Sequence, residues 1–373
     1  MEFVKTYMLL TVFLGLIFIS FIKIQKLYEY EIIWLLLLFY LALTIVYSDD
    51  YTVAIKAIIG EVILIVFYFL YRFFLNEIGI DRYTKILTSL GKWYLIVALL
   101  LYFLGFYFYY LKGIRTMPLF YTDQEYRVLG AMFNKWTGMP RLVGPGFGVD
   151  SFNWMSSFFI IVFWINKNYK WLIIGVICSL LTFSITFLLV LALVIVYFII
   201  KKGKLFSMLM ALAPVVGIVF YYYKTNDWFN NIIESRITSA QSGTGRFDIW
   251  SFIFEKIWER PFFGHGINQL KVHLETYSDK SIRSAHNTLI EIFFNSGIIG
   301  VFLYVIFILG FYLACYNVDR KNGSIYFRVL FLCYFVFSMA NTSIYNFSTL
   351  LFFSFVFLYT HTNHLKKAEQ NEN

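Results

Sequence analysis

The chain has 373 residues, of which 60% are hydrophobic, 22% aromatic and only 14% charged, where a soluble domain carries about 25% charged residues. Apolar runs of about 20 residues recur, each long enough for a bilayer core of roughly 30 Å; they are continuous, which excludes the alternation of a β-barrel. The net charge of +9 is scattered in short clusters between these runs, the pattern that sets orientation in a membrane rather than one that binds nucleic acid.

Along the chain, spans are expected near 5–22, 31–47, 53–75, 93–111, 152–166, 171–184, 186–200, 205–223, 288–315, 327–341 and 344–360. This predicts an all-α polytopic integral membrane protein, a single membrane domain over 1–373 with about eleven transmembrane helices, ten to twelve allowing for its shortest runs. The first run lacks a small-residue cleavage site and reads as a retained helix, not a removed signal peptide. The segment 171–200 is long enough for one helix or two. Lys167 and Lys170 flank one end, and Lys201, Lys202 and Lys204 the other. If both clusters are cytoplasmic, the segment crosses twice, and Lys23, Lys26, Arg82, Lys85, Lys92, Arg320, Lys321, Lys366 and Lys367 fall on the same side. The hairpin is therefore preferred, and it puts the N-terminus outside. Cys178, Cys315 and Cys333 all lie in apolar runs, with neither a disulfide framework nor metal-ligand spacing.

Two long polar connections remain, 112–151 and 224–287, both non-cytoplasmic in this topology. The first holds Lys112, Arg115, Arg127, Lys135 and Arg141; the second holds Lys224, Arg236, Arg246, Lys256, Arg260, Lys271, Lys280 and Arg283. Long loops translocate whatever their charge, and cations kept outside point to an anionic ligand. In the second loop, aromatic and aliphatic residues between Phe247 and Trp258 interleave with Asp248, Glu255, Lys256, Glu259 and Arg260. The stretch at about 246–260 is too charged to span and reads as a helix lying in the interface plane, begun at Thr244 or Gly245 and ended by Pro261. Arg246 stands at its N-terminus, where the dipole and unpaired N–H groups favour an anion. A guanidinium there adds a forked donor matched to phosphate; snorkelling to lipid headgroups is an equal alternative. Small neighbours on both sides would let His265 reach a substrate, although a plain turn explains the Gly-His-Gly spacing as well. His273 has no supporting context. Asp49 and Asp50, at a tight outer turn, read as a solvated doublet.

Three motifs follow one another here: "TGRFDIW" from Thr244, "ERPFFGHGI" from Glu259 and "SAHNTLIEIFFNSGIIG" from Ser284. Together they resemble the O-antigen ligase/polymerase superfamily, bacterial enzymes that handle glycans on an undecaprenyl pyrophosphate carrier. "RLVGPGFGVDSFNWMSSFF" from Arg141 resembles the segment opening a middle span in that family; the remainder matches in hydropathy and loop layout. Many ligase-type members carry a Ser-Arg pair at the outer tip of the central hairpin, whose Arg contacts the pyrophosphate. Here the tip reads "TFSITF", with Ser184 followed by Ile185, which argues against ligase activity.

The resemblance implies a glycosyltransferase that polymerises carrier-linked repeat units into O-antigen or another surface polysaccharide. It would work on the outer face of the bacterial inner membrane, without metal or other cofactor. Its partners would be the undecaprenyl-pyrophosphate-linked glycan and membrane lipid, with a chain-length-determining protein and a flippase alongside, and no nucleic acid. His286 would be the base for the attacking sugar hydroxyl, since an imidazole titrates near neutral pH. Asn287 beside it would contact substrate. Glu291, an acid in an apolar stretch, marks function or a structural ion pair. Arg246 would meet the pyrophosphate. Arg127, Arg141, Arg236 and Arg283 are the candidates for a second cation, together with Arg115. Arg127 and Gly138 also have the R-x10-G spacing of some polymerase loops, a spacing that recurs by chance. The alternatives are a ligase acting on lipid A core or protein, and a flippase or transporter without chemistry. A transporter needs charges along the spans, for which Glu61, Arg72 and Glu291 are the candidates.

Overall fold

The computed structural model describes residues 27–115, 125–134, 138–145, 148–202, 246–277, 284–340 and 351–360, with a few single positions between 217 and 234. It is mostly helical, at 79%. The helices are α1 (Glu29–Leu43, continued by a 3-10 turn Thr44–Tyr47), α2 (Tyr51–Ile78) and α3 (Ile80–Leu111), then α4 (Val149–Ile165), α5 (Tyr169–Leu180) and α6 (Ile185–Lys202). They are followed by α7 (Arg246–Ile257), α8 (Leu270–Tyr277), α9 (Thr288–Asn322), α10 (Tyr326–Ala340) and α11 (Leu351–Thr360). Glu29–Tyr47, α3, α9 and the Tyr51–Leu75 part of α2 are each long and apolar enough to cross a membrane, and five shorter apolar helices join them. Nine of the expected spans coincide with these helices. The expected spans 5–22 and 205–223 lie outside the described residues.

The segment 171–200 is two helices. α5 ends at Leu180, and α6 begins at Ile185. Phe183 between them has φ +49, a left-handed conformation that a continuous helix cannot contain. α3 starts at Ile80, thirteen residues before the expected span. Gly79, with φ +74, separates it from α2, and no breaker follows, so the polar turns around Asp81 and Lys85 join the helix.

Among the described residues, the exception to the all-α expectation is a three-stranded antiparallel sheet in the first connection: β1 (Glu125–Val128), β2 (Ala131–Asn134) and β3 (Pro140–Leu142), in the order β1-β2-β3. Ala131, Met132 and Phe133 of β2 are all buried. With both faces covered, the strand lacks the alternation by which a strand is recognised.

The chain divides into two compact units, one of Met1–Leu87 with Trp250–Asn373 and one of Thr88–Ile249. In the first, α1 packs on α9, and α9 on α10, around an aromatic core. Phe311 lies 4.7 Å from Phe353 and Trp34 5.2 Å from Tyr68, each pair edge-on, a preferred arrangement of ring quadrupoles. Within this core Arg72 Nη1 bonds both carboxylate oxygens of Glu31, at 3.0 and 2.9 Å. Tyr68 donates to the same carboxylate, and the guanidinium stacks 4.0 Å above the Phe357 ring. In the second unit α4 packs on α5, joined by the buried Ser156–Ser179 hydroxyl pair at 2.7 Å.

Candidate active site

α7 is built to face two apolar environments. Ile249, Ile253 and Ile257, spaced four apart, form one buried stripe. Phe247, Phe254 and Trp258 form another on the opposite side, 57%, 42% and 73% exposed, while Asp248, Glu255 and Glu259 lie between them on an exposed edge. Large aromatics facing outward beside charged residues are the pattern of a helix at a lipid–water boundary. Arg246 is the first residue of α7 and is half-buried. One turn later, the Trp250 indole N–H donates to the Ala285 carbonyl at 2.8 Å. This ties α7 to the short segment ahead of α9.

The Pro-Phe-Phe-Gly-His-Gly turn is locked against a break in α9. Gly297 has φ 64 and ψ −163 inside the helix. The freed backbone groups find partners in the turn: His265 N–H donates to Phe294 O and Gly266 N–H to Asn295 O, both at 2.9 Å. Ile298 N–H donates to Pro261 O, also at 2.9 Å. Irregular backbone in an apolar helix persists only where such partners exist. The approach is close enough that a Cβ at Gly264 would lie 2.4 Å from Ser296 N, and one at Gly297 2.3 Å from the Phe262 carbonyl. The glycines thus serve backbone contact. The His265 side chain turns inward, is 2% exposed, and stacks on Phe294 at 4.5 Å. It does not face a substrate from the surface.

His265 belongs to a second group. His265 Nε2 lies 2.8 Å from the Lys256 carbonyl, and its Nδ1 lies 3.8 Å from Asp49 Oδ2. His273 Nε2 donates to Asp49 Oδ2 at 2.9 Å. Arg260 pairs with Asp49 Oδ1 at 3.3 Å and donates to the Tyr47 carbonyl. Burial lowers the His265 imidazole below its ordinary value, against the pull of the Lys256 carbonyl. Burial alone would raise the Asp49 carboxyl; the His273 hydrogen bond and the Arg260 charge outweigh it and hold the group below its usual range. Asp49 is therefore no solvated doublet, and its neighbour Asp50 caps α2, accepting from Thr52 N and Val53 N. Arg260 also lines an open cavity of about 650 Å³ with Tyr47, Ser48, Tyr51 and Glu259.

At the mouth of α9, His286 is half-buried and has φ +51, a left-handed backbone that costs about 1–2 kcal/mol for a residue with a side chain. Its N–H donates to Ser284 Oγ at 3.0 Å, and Ser284 Oγ in turn donates to Glu291 Oε2 at 3.4 Å. Glu291 lies in the first turn of α9, where the helix dipole favours negative charge. Asn287 is the N-cap: Oδ1 accepts from Ile290 N, and Nδ2 donates to the Met339 carbonyl at 3.0 Å. Both ends of its amide position the helix. Ser284, which links His286 to Glu291, is a member of this group that no spacing rule singles out.

In the second unit, β3 lies on the tip of the α5–α6 turn. Leu142 N–H donates to Leu181 O, and Arg141 Nε donates to Thr182 O, both at 3.0 Å. Asn153 holds the Thr182 hydroxyl at 2.9 Å. A half-buried guanidinium thus stands at the tip where the chain has Ile185. Arg127 pairs with Met132 across β1–β2, and Met132 with Arg141 across β2–β3, so the two arginines flank Met132 on one face of the sheet. Arg127 Nε also donates to the Leu129 carbonyl at 3.3 Å. Arg236 and Arg283 lie outside the described residues.

No curated protein matches the chain. Residues 170–305 match the family model described as O-antigen ligase, a stretch that takes in α5 to α8 and the first half of α9. Over that stretch the chain is similar to the O-antigen ligase family, which supports the resemblance to the O-antigen ligase/polymerase superfamily.

Proposed function

We propose that the protein polymerises glycan repeat units carried on undecaprenyl pyrophosphate, at the outer face of the bacterial inner membrane. The observation that carries this reading is the family match over 170–305, which includes Arg246, His286 and Glu291 within their motifs. The absence of an arginine after Ser184 favours polymerase over ligase.

In this reading the acceptor sugar hydroxyl attacks C1 of the carrier-linked glycan. The C1–O bond to the pyrophosphate breaks, and undecaprenyl pyrophosphate leaves with the bonding pair. His286 takes the hydroxyl proton, and Glu291, through Ser284, holds the segment that carries His286. Negative charge grows on the leaving group, and cations fixed in advance lower the barrier most. Arg246 is the first of these. Arg141 is the second, because its guanidinium is held at the hairpin tip, with Arg127 beside it on the sheet. Arg236 and Arg283 are further candidate cations of the second polar connection. Asn287 acts by fixing the start of α9.

The test is a deletion strain whose surface glycan is resolved on a gel, with purified protein incubated with a lipid-linked repeat unit. Single-repeat product in the strain and longer product in the tube support a polymerase. Polymer left on its lipid carrier would mean a ligase. The absence of any longer product from pure protein would mean transport without chemistry.

A further inference from the structure

Asp49, His265 and His273 are brought together from two distant parts of the sequence, the α1–α2 corner and the stretch after α7. One ligand-type atom from each, a ring nitrogen or a carboxylate oxygen, lies within 4.8 Å of the others. The state of His265 is fixed by its surroundings. A carbonyl only accepts, so the contact with Lys256 O places the proton on Nε2. Nδ1 then carries a bare lone pair; it is buried and has no hydrogen-bond partner. An acceptor sealed away from water in this way is costly. It points at Asp49 Oδ2, 3.8 Å away, too far for a hydrogen bond and with no proton to share. Asp49 Oδ2 also receives His273 Nε2, while Arg260 holds Oδ1 and so leaves Oδ2 as the inward-facing oxygen.

We propose that these residues bind one divalent transition-metal ion of the zinc class through His265 Nδ1, His273 Nε2 and Asp49 Oδ2. Two imidazoles and a carboxylate suit such an ion, and ligands at about 2.1 Å in tetrahedral geometry stand roughly 3.4 Å apart. The two separations to Asp49 Oδ2, 2.9 and 3.8 Å, bracket that value, and all three donors lie within 4.8 Å of one another. The Lys256 carbonyl is the outer partner that a metal-bound imidazole ordinarily has, fixing tautomer and ring orientation. On binding, the proton on His273 Nε2 is replaced by the metal, and the neutral ring carries its proton on Nδ1. Three protein ligands leave an outward position for water or an anion. The ion would fasten the α1–α2 corner to the turn that packs against the break in α9. This proposal is independent of the glycan-transfer reading.

The full chain, purified in detergent with any histidine tag removed, is stripped with chelator and titrated with Zn²⁺ and, separately, Co²⁺. The expected result is one tightly bound equivalent, a Co²⁺ visible band typical of nitrogen and oxygen ligands, and a thermal midpoint raised by Zn²⁺. His273→Gln, at a partly exposed position, should weaken binding by about 100-fold and abolish the Zn²⁺ shift, whereas His286→Ala should retain the full equivalent. Substoichiometric binding by the unmodified chain, or unchanged binding by His273→Gln, overturns the proposal and leaves the three residues as a hydrogen-bonded clasp. The cobalt spectrum of the unmodified chain decides the matter even if a variant fails to fold.

Discussion

At Arg246 the choice lies between a phosphate fork and a headgroup anchor, and lysine separates them. A point charge keeps the attraction but loses the paired hydrogen bonds. Removing one preorganised donor to developing charge costs about 10²–10³ in rate. Arg246→Lys and Arg246→Ala should both abolish visible polymer at unchanged protein level, as should His286→Ala; polymer of normal length from Arg246→Lys would leave α7 as a membrane anchor. Arg141 admits a rescue. Arg141→Ala should also stop polymer formation, and Arg141→Ala combined with Ile185→Arg should restore part of it by returning a guanidinium to the same tip; a double variant as inactive as the single one would remove Arg141 from the phosphate site. His286, Asn287 and Glu291 were legible as a group because they sit together in sequence at a polar-to-apolar border. Ser284 and Asp49 were not, since their roles arise from partners fixed only by folding: Glu291 for one, Arg260 and His273 for the other. For His265 the flanking glycines suit either access for a side chain or a plain turn, and the turn is what forms: the glycines admit backbone, and the ring is buried.

Among the elements, the long apolar helices were legible because hydropathy over some twenty residues states them directly. The division of 171–200 was legible only through the lysines at its two ends; the left-handed Phe183 that makes the break has no signature in a run of apolar residues. The sheet was invisible for the reason that makes it stable, since β2 is buried on both faces. The break in α9 is the element to which the Pro-Phe-Phe-Gly-His-Gly turn is locked. A glycine inside an apolar helix is commonplace in sequence, but Gly297 takes φ 64 and ψ −163 and sits against the Phe262 carbonyl. Gly297→Ala should therefore destabilise the protein by about 1–3 kcal/mol from the backbone conformation alone, with the steric contact added, and lower the thermal midpoint in detergent. Gly60, with open space around it in α2, is the control: Gly60→Ala should leave the midpoint unchanged or raise it slightly. Equal midpoints for the two variants would mean that the turn and α9 adjust to one another freely.

For the whole molecule, the distribution of charge bears on both chemistry and topology. Arg72 was legible as one of the few charges inside the spans, a candidate step on a transport path. Its partner Glu31 was hidden at the edge of a span. Each is at most 2% exposed, and the pair is closed by Tyr68 and the Phe357 ring. An ion pair sealed this way fastens α1 to α2 and is a poor relay. The basic clusters outside the spans then set orientation. α5 and α6 are separate helices joined by a four-residue turn at 181–184, and the proposed topology, in which each crosses once, returns Lys167 and Lys170 to the same side as Lys201 and Lys202. A single long helix would have sent them to opposite sides. Carried along the chain, the proposed topology expects both long polar connections, and with them Arg141, Arg246 and His286, on the face opposite the lysines, where a lipid-linked glycan would be met after its transfer across the membrane. A reporter fused after Lys204 should read cytoplasmic, and reporters at Asp123 and Ser278 should read outside. A cytoplasmic signal from Ser278 would place His286 on the face where the charge clusters lie, and the outer-face reaction would then have to be abandoned whatever the single-residue variants show.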